Sequence, residues 1–207
     1  MKAAAALFVA KGYNGTSTRE IAATAGLRQG SLPHYFPRKQ DMLVALVSKS
    51  LRPAFAHATV LEASGLPAEV QFYRFVHSDC LAICRDELNV TSIALQPDVA
   101  AVVGPALENE REAVVDIYQR MIAAAARSGA FDVPQTELAT QTAFGMVESI
   151  ARWYSVESDL TPEMCADQVT RSIICGLLPT PSGFGAIVAQ AAHAPAATES
   201  GSQIVSQ

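Results

Sequence analysis

The sequence predicts an all-α protein in which a small three-helix head precedes a larger helical domain, with about nine helices in all. Half of the residues are hydrophobic but only 7% are aromatic. Ala, Leu, Ile and Val dominate the segments with helical periodicity, and Gly, Pro or polar residues bound each segment. This pattern favours packed helices over a strand-rich sandwich.

The first two helices of the head have clear start and stop signals. A helix over residues 3–11 should end at Gly12, a common stop signal. Ser17, followed three residues later by Glu20, forms a capping-box pattern that starts a second helix running through Ala25. Two short helices are therefore expected within the first 25 residues.

A glycine turn at Gly26 leads to a third short helix within residues 28–36. Ser31 can cap that helix, which places Pro33 in its first turn, where proline breaks no hydrogen bond. The apolar side chains of the head should form one small core: Leu7, Phe8, Ile21, Ala22, Ala25, Leu27, Leu32 and Phe36.

A fourth helix should run from about Arg38 past Lys49, and Pro53 should kink or interrupt it. The larger domain has clear helical segments at 68–85, 105–128, 135–155 and 162–178, and a poorer one near 92–96. Pro, Gly, Ala, Ser and Gln then dominate, which predicts a tail that is disordered or loosely docked. The expected organisation is a head over 1–48, a helical domain over 49–178 and a tail over 179–207.

Charge is distributed unevenly along the chain. The formal net charge is −5, which alone argues against a nucleic-acid partner. Residues 1–52, however, hold eight Lys and Arg against Glu20 and Asp41, and no Lys follows Lys49. A basic head on an acidic body is typical of a protein whose head binds DNA.

The head has the geometry of a helix-turn-helix, with two short helices, a tight turn and basic residues at the start of the second helix. Its sequence, AALFVAKGYNGTSTREIAATAGLRQGSLPHYFPRKQDML, resembles the N-terminal pattern of the TetR family of transcriptional regulators. The shared positions include Gly-Tyr, Thr-Ser, Ile-Ala, Ala-Gly, Gly-Ser-Leu and His-x-Phe, followed by Lys. The resemblance covers about the first 45 residues.

Arg and Gln side chains can read base edges in the major groove, and Lys can hold a phosphate. The resemblance implies phosphate contacts from Thr18, Tyr35 and Lys39, and base or backbone contacts from residues 28–31 and His34. The candidate DNA-binding residues are Thr18, Arg19, Arg28, Gln29, Gly30, Ser31, His34, Tyr35 and Lys39.

The resemblance also implies that the larger domain binds a small, largely apolar effector and pairs with a second subunit through its last two helices. The candidate effector contacts are Phe72, Phe75, Val76, Leu95, Val114, Ile117, Tyr118, Met121 and Phe144. The candidate dimer contacts, which repeat at helical spacing, are Val147, Ile150, Ala151, Tyr154, Val169, Ile173 and Leu177. A buried monomer core would show the same repeats.

Two polar groupings in the larger domain admit competing interpretations. Arg120 and Arg152 could bind an acidic ligand, but Asp116 and Glu148 lie four residues before them and favour local ion pairs. His77, Cys80 and Cys84 share one helical stripe, which suggests a metal or thiol sensor. Ordinary core packing explains these three residues more simply, so we expect no metal site.

The expected function is that of a homodimeric, ligand-responsive repressor that binds double-stranded DNA at a near-palindromic operator. The alternative is a small-molecule-binding protein whose DNA-binding head has degenerated, as Pro33 and the short first helix permit. An enzyme is not expected, because the sequence has no Gly-rich phosphate loop, HExxH or serine elbow. The cysteine spacing suggests a reducing cytoplasm, and we expect neither a cofactor nor a membrane-spanning segment.

Overall fold

The computed structural model describes residues 1–86, 90–179 and 183–193, and for Gln29 the backbone alone. Within these residues the protein is all-α, as the sequence predicts, with ten α-helices where about nine were expected. The head contains α1 (Lys2–Lys11), α2 (Thr18–Thr24), a 3₁₀ turn (Gln29–Ser31), α3 (Leu32–Tyr35) and the start of α4 (Lys39–Glu62). The remaining helices are α5 (Ala68–Cys84), α6 (Val90–Ala94), α7 (Pro97–Arg127), α8 (Thr136–Trp153), α9 (Pro162–Leu177) and α10 (Phe184–His193).

The predicted capping box of α2 is confirmed. The Glu20 backbone N–H donates to Ser17 Oγ at 3.2 Å, and the Ser17 backbone N–H donates to Glu20 Oε2 at 3.0 Å. Two backbone donors at the helix start are thereby satisfied. Gly26 has a φ of +68°, a left-handed conformation that glycine adopts without strain, and it turns the chain away from α2.

Pro33 lies in the first turn of α3, as predicted, so its missing N–H removes no helical hydrogen bond. Ser31 occupies the N-cap position, although its side chain makes no capping hydrogen bond there. The turn Gln29–Ser31 winds as a 3₁₀ helix immediately before α3. Pro33 therefore does not prevent the third helix from forming.

Two long helices differ from their predicted bounds. The helix α4 continues through Pro53 to Glu62 instead of being interrupted. Similarly, α7 begins at Pro97 and contains Pro105, where the sequence predicted a start. Each helix packs along much of its length against its neighbours, including α4 against α7, and such tertiary packing outweighs the local cost of a proline.

Part of the tail that was predicted to be disordered or loosely docked is helical, over residues 184–193. The helix α10 packs on α5 and touches α9. Ile187 is buried, and the Phe184 ring meets Tyr73 edge-on at a centroid distance of 6.2 Å. Burial of these apolar groups stabilises a segment whose composition alone suggested disorder. Residues 180–182 and 194–207 of the predicted tail lie outside the described part.

The buried residues form two cores, one under the head and one in the larger domain. The head core joins α1, α2, α3 and α4 to α6 and the first part of α7, through Val90, Ile93, Val99 and Val103. The larger core surrounds α5, which packs against α4, α7, α8, α9 and α10. The head therefore rests on α6 and α7, the same helices that lead into the larger core.

In the head, Leu27 is 42% exposed and Ala25 is also exposed, so neither belongs to the head core as predicted. Ala25 is the C-cap residue of α2 and Leu27 follows the Gly26 turn, where the chain leaves the core. Among the helices of the described residues, none is long and apolar enough to cross a membrane.

Candidate DNA-binding head and effector cavity

The structure places most of the predicted DNA-binding residues on one exposed region of the head. Thr18 and Arg19 lie in the first turn of α2, and the others follow on the 3₁₀ turn and α3. Side chains or backbone are exposed at Thr18, Arg19, Arg28, Gly30, His34 and Tyr35, and Ser31 is half-buried. We call this set, together with Gln29, the recognition surface; of Gln29 only the backbone is described.

Some cationic side chains of the head form ion pairs and others do not. Lys11 Nζ pairs with Glu20 at 2.6 Å, and Arg38 pairs with Asp41 at 2.9 Å. In contrast, neither Arg19 nor Arg28 has an ion-pair partner among the residues that the structure describes. Two unpaired guanidinium groups near the helix-turn-helix are available to phosphates or base edges.

Lys39 is held by the protein itself. Its Nζ donates to the backbone carbonyl oxygens of Tyr13 at 2.6 Å and Thr16 at 2.9 Å, and it lies 4.2 Å from the centroid of the Tyr13 ring. Partial burial lowers the Lys39 pKa. An ammonium has three donors, so at most one remains for the phosphate contact that the family resemblance implies. Sequence reasoning missed the contacts with the turn between α1 and α2.

The turn that Lys39 contacts is further tied to the rest of the protein. The Thr16 hydroxyl is buried and lies 2.8 Å from the Gly12 carbonyl oxygen and 3.1 Å from that of Leu7. The Asn14 amide donates to the Asp98 carboxylate in the first turn of α7. These contacts connect the position of α2 to both α4 and α7.

A mainly apolar cavity of about 250 Å³ lies between α4, α5, α6, α7 and α8. Three of the nine predicted effector contacts, Leu95, Val114 and Phe144, line it. The other six, Phe72, Phe75, Val76, Ile117, Tyr118 and Met121, are buried in the larger core and do not line this cavity. Their side chains pack against neighbouring helices in the larger core, and a ligand-binding role for them remains a prediction.

The residues that line this cavity and were missed by sequence reasoning are mostly on α6 and the first half of α7. The sequence predicted no helix before Pro105, so the inward positions of Ala100 and Gly104 could not be identified. Leu107, Glu108 and Arg111 lie within the predicted helix, but its periodicity does not show which helices surround them. The missed lining residues are Val47, Leu51, Asp79, Ile83, Thr91, Ala94, Ala100, Gly104, Leu107, Glu108, Arg111 and Glu148, and the predicted dimer residue Val147 also lines the cavity.

Asp79 is the most unusual group in the cavity wall. Asp79 is half-buried, and its carboxyl accepts a hydrogen bond from the Tyr118 hydroxyl at 2.6 Å. Burial raises the Asp79 pKa from 3.8 to about 6, while the Tyr118 bond partly offsets that rise. Tyr118 is completely buried, and its ring meets Phe72, Phe75 and Phe144 edge-on. An aromatic cluster therefore fixes the donor that holds Asp79.

We expect Asp79→Asn to change how stability depends on pH. In the folded protein the Asp79 pKa is about 6, against 3.8 as the ordinary value, so the folded state binds a proton more tightly than the unfolded state. The free energy of unfolding of wild type, relative to Asp79→Asn, should therefore fall as pH rises from about 4 to about 6, by up to about 3 kcal/mol. Urea unfolding at four pH values measures this difference.

Tyr118→Phe supplies the matched comparison for this pH dependence. It deletes the hydroxyl that lowers the Asp79 pKa, so the upper end of the pH window should move to higher pH. Parallel curves of unfolding free energy against pH for wild type and Asp79→Asn would contradict the assignment.

The local ion pairs predicted for Arg120 and Arg152 are replaced by contacts between helices. Arg120 Nε donates to Glu62 at 3.2 Å instead of pairing with Asp116. Glu148 accepts from Arg111 Nε at 3.2 Å rather than from Arg152. Neither predicted local pair is therefore formed, because helices packed alongside provide partners that the sequence spacing does not reveal.

The predicted His–Cys stripe of α5 is divided between different environments. His77 Nε2 lies 3.0 Å from Asp167 Oδ1 and its ring stacks on Tyr73. Cys80 and Cys84 are buried with Cys165 of α9. Burial raises the pKa of Cys80 and that of Cys84, the latter to about 12. Such thiols are inert at neutral pH, which favours the core-packing interpretation over a thiol sensor.

The predicted dimer residues mostly point into the protomer. Val147, Ile150, Ala151, Ile173 and Leu177 are buried in the larger domain, and Tyr154 and Val169 are half-buried. One exposed stripe on the outer surface of the same two helices is instead uncharged. We call it the α8–α9 face: Leu138, Thr142, Gly145, Met146 and Trp153 of α8, and Met164, Gln168, Ser172 and Gly176 of α9.

The α8–α9 face contains an open groove of about 480 Å³, lined in part by Leu138, Thr142 and Met146 of α8 and by Ser172 and Gly176 of α9. Leu138 is 62% exposed and Met164 is 54% exposed. The α8 residues recur at spacings of three, four and seven, and the α9 residues at spacings of four. The same helical period is thus shared by an inner and an outer stripe. Most of the predicted dimer residues lie on the inner one, although Ile173 and Leu177 also line this groove, and their role in a dimer remains a prediction.

Two family models match the chain. The model for bacterial regulatory proteins of the tetR family matches residues 1–46, and a model for the tetracyclin repressor-like C-terminal domain matches residues 92–177. Together they cover well over half of the chain. The first spans the recognition surface, and the second spans most of α7, α8 and α9.

Relatives extend the similarity to nearly the whole chain. The HTH-type transcriptional repressor KstR2 of Rhodococcus jostii is 25% identical over 186 residues, which are 84% of this chain and 87% of that protein. Among solved structures, a transcriptional regulator of the TetR/AcrR family from Thermobifida fusca has a TM-score of 0.64 and 27% identity, covering 84% of this chain and 94% of its own. AmtR of Mycobacterium smegmatis has a TM-score of 0.68 and 26% identity, covering 91% and 89%.

Proposed function

The chain belongs to the TetR family of bacterial transcriptional regulators, and we propose that it is a cytoplasmic repressor that binds a near-palindromic operator as a homodimer and is released by a small effector. The recognition surface, with its unpaired Arg19 and Arg28, carries the proposal for DNA binding. The cavity and the α8–α9 face support the parts of it that concern the effector and the second subunit.

Arg28 is the residue that we assign to base recognition. It is the N-cap residue of the 3₁₀ turn that leads into α3, and its exposed side chain lies next to Gly30, where no Cβ obstructs a close approach of the backbone. A guanidinium at this position can donate two parallel hydrogen bonds to a guanine edge. Arg19, in the first turn of α2, is better placed for a phosphate.

The α8–α9 face supports pairing with a second copy of the chain. Its exposed apolar and small residues would bury poorly solvated surface, and its glycines allow close helix approach. An interface that is the same on both subunits produces two-fold symmetry. Two heads related in this way can occupy successive major grooves of a near-palindrome.

Contacts shared by the head core and the cavity offer a route for effector control. Val47, Ala94 and Leu107 are buried in the head core and also line the cavity. The Ser48 hydroxyl lies 2.8 Å from Glu110 and joins α4 to α7. A ligand that fills the cavity better in one head orientation than in another would shift the balance between them, which is what release from DNA requires.

Arg28→Ala should weaken operator binding by about 10- to 100-fold, since a bidentate contact to one base contributes about 1–3 kcal/mol. The measurement is fluorescence anisotropy on duplexes from the DNA flanking the chain's own gene, at several salt concentrations. Wild type should show a steep fall in affinity with salt.

Arg127→Ala is the matched control for this experiment, because Arg127 is an exposed arginine at the end of α7, outside the recognition surface. It should leave operator affinity unchanged. Equal losses in the two variants, or sequence-independent binding by wild type, would contradict the proposal.

A further inference from the structure

The cavity wall contains more acidic than basic residues. Most of the lining is apolar, but Asp79 of α5, Glu108 of α7 and Glu148 of α8 contribute three carboxyl groups. Arg111 is the one cationic residue among those that line the cavity. Acidic groups from three different helices thus converge on a single apolar space.

The guanidinium group of Arg111 already contacts two neighbouring side chains. Its Nε donates to Glu148 Oε1 at 3.2 Å, and its guanidinium carbon lies 4.9 Å from the centroid of the Phe144 ring. Arg111 therefore neutralises Glu148 and covers one aromatic wall. Asp79 and Glu108 have no ion-pair partner among the residues that the structure describes, so the cavity keeps an excess of negative charge.

Asp79 is the deeper of these two acids. The Tyr118 hydroxyl donates to Asp79 Oδ2, but a neutral donor supplies no positive charge. A carboxylate buried beside apolar groups without a counter-ion is costly. A cation that entered the cavity would remove that cost and gain a charge-assisted hydrogen bond at the same time.

We propose that the effector is a small apolar amine, protonated at neutral pH, whose ammonium group pairs with Asp79 while its hydrocarbon part packs against Leu95, Val114 and Phe144. This inference rests on the proposed function of an effector-released repressor. The cavity of about 250 Å³ is just below the usual range of ligand pockets, about 300–1,000 Å³, which favours a small effector. An anionic ligand of equal size would face the carboxyl groups of Asp79 and Glu108, which Arg111 does not neutralise, and be repelled.

Three sets of probes of similar size test the charge preference: hexylamine and phenethylamine, hexanol and phenylethanol, and hexanoate and phenylacetate. Isothermal titration calorimetry on the full chain should give the tightest binding for the amines and none for the carboxylates. Asp79→Asn, which keeps the side-chain shape, should weaken amine binding by about tenfold or more and leave alcohol binding unchanged.

Two further variants keep the test independent of folding defects. Glu112→Gln removes an exposed acid of α7 that does not line the cavity, and it should change no affinity. Tyr118→Phe removes the competing hydroxyl donor but keeps the Asp79 carboxylate, so amine affinity should be retained or increased. If the Asp79–Tyr118 pair had only a structural role, Asp79→Asn and Tyr118→Phe would both lower the free energy of unfolding, and neither would change the preference between amines, alcohols and carboxylates.

The inference would be overturned if carboxylates bound as well as amines, if Asp79→Asn and Glu112→Gln behaved alike, or if no amine bound at millimolar concentration. Operator binding without any probe is measured in parallel. Operator binding with no amine binding refutes the inference and leaves the repressor proposal intact. Asp79-dependent amine binding without a sequence-specific operator refutes the repressor proposal and retains the ligand class.

Discussion

Met146→Glu should make the protein monomeric and weaken operator binding by at least about 100-fold. Met146 lies on the α8–α9 face, where it lines the groove with Ser172 and Gly176 of α9. It is 36% exposed in the protomer, so the protomer fold should tolerate a glutamate. In a two-fold interface, each subunit would bury an unpaired carboxylate, at a cost of about 3–5 kcal/mol for a broken or unpaired buried charge.

The measurement is sedimentation equilibrium for mass, with the protomer at 21.9 kDa, together with operator affinity by anisotropy. Val156→Glu is the control, because Val156 is a 74% exposed apolar residue outside the α8–α9 face, and it should remain dimeric with normal affinity. Circular dichroism checks that both variants are folded. A Met146→Glu variant that stays dimeric would refute the assignment of this face.

Lys39→Met should lower the free energy of unfolding by about 2–3 kcal/mol and weaken operator binding at least about tenfold. Methionine keeps the length and apolar stem of the side chain but has no donor. The carbonyl oxygens of Tyr13 and Thr16 would then lose their Nζ partner, and the Tyr13 ring would lose its cation. The turn that positions α2 should loosen, and the recognition surface with it.

Lys49→Met provides the matched control, since Lys49 is an exposed lysine on the same helix. Urea unfolding and operator affinity are measured for both variants. If Lys39 acted only as a phosphate contact, the two variants would have equal stability, and Lys39→Met would only weaken operator binding and reduce its dependence on salt. Equal unfolding free energies would therefore contradict the positioning role.

Patterns within short stretches of sequence predicted much of the head correctly. The Ser17–Glu20 capping box and the place of Pro33 in a first turn follow from contacts within four residues, and the structure has both. The exposed positions of the recognition surface also follow from helical spacing. Leu27 was misplaced because the chain direction after Gly26 depends on how α3 packs.

Contacts between residues far apart in the chain were not predicted from the sequence. Lys39 reaches carbonyl groups 23 and 26 residues away, and no local pattern marks such a contact. The sequence does not mark Asp79 as a cavity residue, because its hydrogen-bond partner Tyr118 lies 39 residues later in the chain. Residues 184–193 form a helix because α5 and α9 offer them an apolar surface, although their surroundings in sequence resemble a disordered tail.

The sequence by itself determined the all-α class, the helix-turn-helix head with its basic charge, and the resemblance to the TetR family, because capping, helical periodicity and charge are local properties. Only the tertiary structure decided which face of α8 and α9 remains exposed and which residues enclose the cavity. Helical periodicity predicts that one stripe of a helix is apolar, but it does not show which other group packs against that stripe. The choice between core, ligand and second subunit depends on which helices pack together, and that is a property of the whole fold.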